Sequence, residues 1–251
     1  MNNDRIKIII LAAGKSTRMK SDIPKALALL KGKYFLQHII DTIKKLDPLI
    51  KPIIVVGHKK ELIIEALGKE HLYTEQFEQL GTGHAVMSAK KAINEEHEIV
   101  LVASTDQPLI SKETLENIIS TQKTKNPTMT IATVILPDFN DWRVGLNHFG
   151  RIVRGADKSI IKIVEFKDAN EKEREIKELN PALYAFDSIW LWENINKLQN
   201  KNVQAEYYLT DLIKMACDQN KKIETVQVEN IIEAFQPNSK EELEVLEKLV
   251  L

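Results

Sequence analysis

A chain of 251 residues, 43% hydrophobic and 28% charged, is long enough to bury a full core and too apolar to be disordered. Its one cysteine, Cys217, excludes an intramolecular disulfide framework and points to a reducing cytoplasm. A formal net charge of −1 leaves no global basic field for nucleic acid or a membrane surface, so any polyanionic ligand must be met by a local cluster of positive charge.

Residues 5–11 (RIKIIIL) form a β-branched run of strand length, apolar on both faces after Lys7, as in the middle of a parallel sheet. The run is too short to span a membrane. A loop and a helix over 34–46 follow, then a second buried strand at 52–57 (PIIVVG) and a helix over 60–67. Residues 71–74 read as a weak strand, 82–95 as a helix and 98–103 (EIVLVA) as a third buried strand. Ser111 starts the next helix, with Glu113 and Glu116 near its positive end, and 128–136 is a further strand. Strand alternating with helix predicts an α/β, doubly wound parallel sheet. Beyond Pro137 the rhythm changes. Residues 137–150 read as loop, 151–154 and 160–166 as short strands about a turn, and 168–178 as a charged, solvated helix face. Residues 183–186 read as strand, and 209–219 and 241–249 as helices. Nothing divides the chain, so 1–251 reads as one domain, with a first half at 1–136 and a lobe with closing helices at 137–251.

The segment richest in chemistry is 11–27, LAAGKSTRMKSDIPKAL, which leaves the carboxyl end of the first strand, where open α/β sheets bind ligands. Lys15, Arg18, Lys20 and Lys25 stand there against the single acid Asp22. Ala12, Ala13, Gly14 and Ser16 are small enough for backbone N–H groups to approach an anion. Arg18 would fork onto phosphate oxygens and Lys25 act as a point charge. The plainer reading is a basic surface loop. Two other motifs fail. A P-loop ending at Gly14-Lys15-Ser16 needs glycine at position 9, which is Ile9, and the GxGxxG start at Gly81-Thr82-Gly83 meets Val86 where its third glycine belongs.

The 11–27 loop resembles the signature of the sugar-phosphate nucleotidyltransferases, LAAGxGTRMxSxxPKxL. The string EQLGTGHAV at 78–86 is similar to the N-acetylglucosamine-1-phosphate uridylyltransferases among them. The resemblance runs on through FGRIVR at 149–154, IVEFKDA at 163–169, ELNPALYAFD at 178–187, QAEYYLTDLI at 204–213 and NSKEEL at 238–243. It implies a mostly parallel mixed sheet of Rossmann-like nucleotidyltransferase type with a small sugar-binding β lobe. It also implies a reaction, UTP and N-acetylglucosamine 1-phosphate giving UDP-N-acetylglucosamine and pyrophosphate, with Mg2+. Such relatives usually carry a C-terminal left-handed β-helix acetyltransferase, and no hexapeptide repeat occurs here. A monomer or weak homodimer is the resulting expectation.

By the same resemblance Leu11, Ala12, Ala13 and Gly14 hold the nucleotide, Arg18 and Lys25 act on its phosphates, and Gln76, Gly81 and Thr82 read the uracil edge. Taken alone, Gln76 is an ordinary polar loop residue. Asp106, just past a buried strand, is the hard oxygen ligand that Mg2+ takes. Asn238 matches a second metal contact, although by itself it reads as the N-cap of the last helix. Gly150, Glu165, Asn180, Tyr208 and Thr210 would line the sugar site. His58, His84 and His148 lack metal-ligand spacing and read as structural. Cys217, Trp190 and Trp192 read as packing residues, and Trp142 as packing or a border of the sugar pocket. The pattern departs where Tyr-Gly-Asp becomes Ser104-Thr105-Asp106, where Asn-Thr-Gly becomes Asn180-Pro181-Ala182, where Gln236-Pro237 precedes Asn238, and in a longer loop at 138–148. The departures gather on the sugar side. They leave open another sugar 1-phosphate or a non-catalytic nucleotide-sugar sensor.

Overall fold

The computed structural model describes residues 5–14, 23–93 and 96–250. In chain order the strands are β1 (Ile6–Leu11), β2 (Leu29–Leu30), β3 (Lys33–Tyr34), β4 (Ile53–Val56), β5 (Leu72–Glu75), β6 (Ile99–Ser104) and β7 (Met129–Ile135). They continue with β8 (Gly150–Arg154), β9 (Ile160–Val164), β10 (Glu178–Asn180), β11 (Tyr184–Asp187) and β12 (Ile223–Gln227). The helices are α1 (Phe35–Leu46), α2 (Lys60–Leu67), α3 (Thr82–Ala89), α4 (Lys112–Lys125), α5 (Glu171–Arg174), α6 (Ser188–Asn194), α7 (Asp211–Asp218) and α8 (Lys240–Leu249).

β2 and β3 form a separate hairpin, and the other strands make one mixed sheet ordered β5-β4-β1-β6-β11-β7-β10-β8-β9, with β12 on the outer edge of β7. β1, β4, β5, β6, β7, β8 and β12 run one way, and β9, β10 and β11 the other. The expected doubly wound, mostly parallel sheet is therefore present. Its hydrophobic logic is visible in β1. Ile8 and Ile10 pack on one face with Leu36, Ile40 and Ile118 of α1 and α4, while Ile9 packs on the other with Val86 of α3 and Ile213 of α7. Each of these fully buried side chains contributes about 1.5–3 kcal/mol. That two-sided burial is why the strand reads as an unbroken apolar run.

β10 and β11 are one extended stretch interrupted at Pro181-Ala182-Leu183, with Ala182 at φ 60° and the Leu183 carbonyl accepting from Ala132 N at 3.0 Å. Above the break the free edge pairs with β8, and below it with β6. The sheet therefore forks there, and β8, β9 and β10 rise as a lobe from the carboxyl edge of the parallel strands. A third apolar cluster, with Phe149, Leu179, Phe235 and Leu246, fills the base of the fork. Trp142 packs edge-on against Phe235 there, at 5.7 Å. Trp190 is buried, and Cys217, half-buried, donates to the Ile160 carbonyl.

Several local expectations need correction. α3 stops at Ala89 and a 3-10 turn follows, where a helix to 95 was expected. The charged 168–178 stretch holds a single turn, α5, closed by a reciprocal Asn170–Glu173 capping box, before Glu178 enters β10. Tertiary pairing of Leu179 with Val134 and Arg151 outweighs helix propensity there. Among the described residues no helix is long and apolar enough to cross a membrane.

Candidate active site

The parallel strands deliver their last residues to one edge, and the candidate site is built along it. At the end of β1, Ala12 N donates to Val55 of β4, and the Leu11 carbonyl accepts from both Thr105 N and Thr105 Oγ1, each at 3.1 Å. The loop after β1 is thus clamped between the ends of β4 and β6. Ala12 and Ala13 are buried and Gly14 is exposed, with nothing within 4 Å of where a Cβ would stand. Arg18 lies outside the described residues, as do Lys15, Ser16 and Lys20.

Lys25 opens a 3-10 turn after Pro24 and is largely buried. Its ammonium donates to Asp106 Oδ2 at 3.2 Å and to Asn238 Oδ1 at 2.9 Å. Three side chains from remote parts of the sequence therefore meet at one point. Burial pushes the Asp106 carboxyl upward, but the Lys25 charge and the Ser104 hydroxyl outweigh it and hold the group below the ordinary carboxylate range. Asp106 Oδ1 is buried with no hydrogen-bond partner among the described residues. An orphaned carboxylate oxygen, and an amide oxygen that shares the Lys25 ammonium with the same carboxylate, are the oxygen donors a hard divalent cation takes, so the residues fit Mg2+. Among the described residues no three His, Cys, Asp or Glu side chains cluster as a metal site. A cation here would lean on Asp106, the Asn238 amide and oxygens of a bound phosphate. Asn238 is not the helix cap. Ser239 caps α8 by accepting from Glu242 N, which releases the Asn238 side chain to the site.

Gln76 follows β5 and is 3% exposed. Its Nε2 donates to the Gly81 carbonyl at 3.0 Å and lies 3.1 Å from His84 Nδ1, so an apparently routine loop residue pins the Gly81 turn. Gly81 has φ 102°, and a Cβ there would stand 2.7 Å from the Tyr207 carbonyl. One at Gly83 would stand 2.5 Å from Leu198 Cδ1. The glycines serve close backbone contact rather than a dinucleotide turn. Gly83 N donates to Tyr207 O, Tyr207 N to Leu80 O, and Leu209 N to Thr82 Oγ1 at 3.0 Å. The Gln76–Thr82 loop is in this way stitched to the 207–210 segment.

Gly150, Glu165, Asn180, Tyr208 and Thr210 gather at the root of the lobe. Gly150 pairs with Asn180, Arg151 pairs with Val164, and Glu165 follows directly. Thr210 Oγ1 donates to Glu165 Oε1 at 2.9 Å, and Asn180 Nδ2 donates to the Tyr184 hydroxyl at 2.7 Å. Burial raises the Glu165 carboxyl, and Asp168, Asp211 and Glu206 add to that rise against the Thr210 hydroxyl. Burial also pushes the Tyr208 phenol up to about 12.

Two residues at the site escaped the sequence reading. His148, set aside as structural, meets Asn238 Nδ2 with its Nε2 at 2.8 Å, and Gln236 Nε2 donates to the Pro181 carbonyl at 3.0 Å. Both lie at positions where the sequence departs from the resembled pattern, which was the only signal available.

Comparisons with known proteins place the chain in a family. The MobA-like NTP transferase domain matches residues 8–144, which include the β1 loop, Lys25, Gln76–Thr82 and Asp106. The bifunctional protein GlmU of Streptococcus agalactiae serotype V is 38% identical over 244 residues, 96% of this chain and 51% of that protein. The GlmU of Clostridium acetobutylicum is 41% identical over 221 residues, 88% of this chain and 47% of that protein. The chain spans about half the length of the curated relatives it matches. The crystal structure of 4-diphosphocytidyl-2C-methyl-D-erythritolsynthase from Anaerococcus prevotii superimposes with a TM-score of 0.65 at 16% identity, over 98% of this chain and 97% of that one, a likeness of fold. With the strand-end loop, its lysine and its acid all inside the matched segment, this chain belongs to the MobA-like NTP transferase domain family.

Proposed function

We propose that the chain transfers a uridylyl group from UTP to N-acetylglucosamine 1-phosphate, releasing pyrophosphate and forming UDP-N-acetylglucosamine. The observation that carries this reading is the meeting of Lys25, Asp106 and Asn238 beside the clamped 11–14 loop, at the carboxyl edge of the parallel strands. An oxygen of the sugar phosphate attacks the α-phosphorus, the bond to the bridging oxygen of the β-phosphate breaks, and pyrophosphate leaves with that electron pair. Mg2+ held by Asp106 and Asn238 supplies neutralisation of phosphate charge when bound.

The protein's own part is positioning and charge. Ala12, Ala13 and Gly14 present backbone to the nucleotide, Lys25 meets its phosphates, and Arg18 is assigned to them from the sequence motif alone. Gln76, Gly81 and Thr82 meet the uracil edge. Glu165, Asn180, Tyr208, Thr210 and the backbone at Gly150 meet sugar hydroxyls, which give buried polar groups their partners. The single cysteine and the near-zero net charge fit an enzyme of a reducing cytoplasm acting on small molecules.

A second reading, another sugar 1-phosphate as acceptor, is favoured by Ala182, which holds a left-handed backbone next to Asn180 where the resembled pattern has glycine. Pyrophosphate release measured with UTP or CTP against a panel of sugar 1-phosphates tests both. Turnover highest with UTP and N-acetylglucosamine 1-phosphate supports the first reading, and preference for another sugar supports the second. No release with any pair leaves a nucleotide-sugar sensor and overturns both.

A further inference from the structure

The orientation of the Asn238 amide can be deduced from its neighbours. Lys25 Nζ only donates, so the atom 2.9 Å from it is the amide oxygen. The Gln236 carbonyl only accepts, so the atom 2.8 Å from it is the amide nitrogen. That nitrogen also lies 2.8 Å from His148 Nε2. It carries two hydrogens, and its two acceptors use both. An amide nitrogen only donates, so His148 Nε2 is the acceptor in this contact. The ring is steadied edge-on against Phe149 at 5.1 Å.

We infer that His148 is a positioning residue: its Nε2 lone pair holds the Asn238 amide so that Oδ1 faces the cation site beside Asp106. The assignment rests on the cation reading of Asp106 and Asn238 given above. A carbonyl oxygen ligates a hard cation and an amide nitrogen does not, so turning the amide over removes one ligand. Partners that orient ligands in this way are commonly worth ten- to a hundred-fold in metal affinity. His148 lies two residues before Gly150, the first residue of β8, so the same short connection leads to both Gly150 in the lobe and the contact with Asn238.

The test is a titration of the full chain with Mn2+ alone, free Mn2+ being read by electron paramagnetic resonance. The variants are H148Q, H148L, H148K and D106A, each checked for an unchanged circular dichroism spectrum. Glutamine keeps an acceptor, leucine removes it, and lysine replaces it with a donor. The expected order is wild type close to H148Q, then H148L weaker by about ten-fold, with H148K weaker still. If H148L fails to fold, H148K against H148Q carries the comparison. Equal affinity across the histidine variants, with D106A still losing Mn2+, overturns the role of His148 alone. Equal loss in H148Q and H148L overturns it too, since shape rather than the acceptor would matter. Unchanged affinity in D106A, or no binding by the wild type, overturns the cation reading and the inference together.

Discussion

The parallel half and the forked lobe solve different problems with different bonds. At the end of β1, β4 and β6 the candidate groups include a charged pair, Lys25 and Asp106, that comes together from far apart in the chain, and Lys25 is held by Asp106 and Asn238 together. In the lobe they are neutral or carry a carboxyl raised by burial, and they bond to one another, Thr210 to Glu165 and Asn180 to Tyr184. The first arrangement suits neutralising a polyphosphate. The second suits reading hydroxyls, because each internal hydrogen bond can be exchanged for one to a sugar at little net cost. On the proposed function, chemistry falls to the first region and selectivity to the second.

The strongest way to break that division is Asp106→Ala. Turnover should fall by at least ~10²-fold with a nearly unchanged melting temperature, since a charge-neutralising contact is lost at a half-buried edge position. Near-normal turnover in steady-state pyrophosphate release would move the chemistry elsewhere. Ala182→Gly probes the other region. Removing a side chain from φ 60° should stabilise the fold by ~0.5–1 kcal/mol, and it should shift KM for the sugar phosphate several-fold while KM for UTP stays put. A change in UTP binding instead would erase the separation of roles.

A smaller effect concerns Glu165, whose proton is bound more tightly in the folded chain than in the unfolded one. The stability that proton contributes is fully present below the ordinary carboxyl value of 4.5 and is lost as pH rises through the raised folded value. Glu165→Gln removes the penalty of ionisation. Its melting temperature should match the wild type in acid and exceed it near neutrality. A gap that does not vary with pH would show that Glu165 ionises as freely in the lobe as in water.

The same two regions differ in how well they could be read from sequence. β1, β4 and β6 are buried on both faces, so their apolar runs announce them, and the basic 11–27 segment is legible as a contiguous motif. The fork is legible only in three dimensions. β10 is hidden in a charged stretch because its partners, Ile135 with Val134 and Arg151 with Gly150, are far away in sequence. β12 pairs only at an edge and is half-buried, so it lacks a strong pattern. The β2–β3 hairpin did carry a signal, Lys31-Gly32 with both residues at positive φ, a two-residue turn that joins strands of matching twist. Asn238 and His148 show the limit most clearly. One reads as a helix cap and the other as an isolated histidine, and only the packing of α8 against the loop before β8 brings them to Lys25.

The most direct measurement is a crystal structure with a non-hydrolysable UTP analogue and Mn2+. The account places an anomalous manganese peak on Asp106 and the Asn238 amide oxygen, the triphosphate against Lys25 and the 11–14 loop, and the uracil beside Gln76 and Gly81. Nucleotide density away from the carboxyl edge of β1, β4 and β6, or manganese without Asp106 among its ligands, would contradict it.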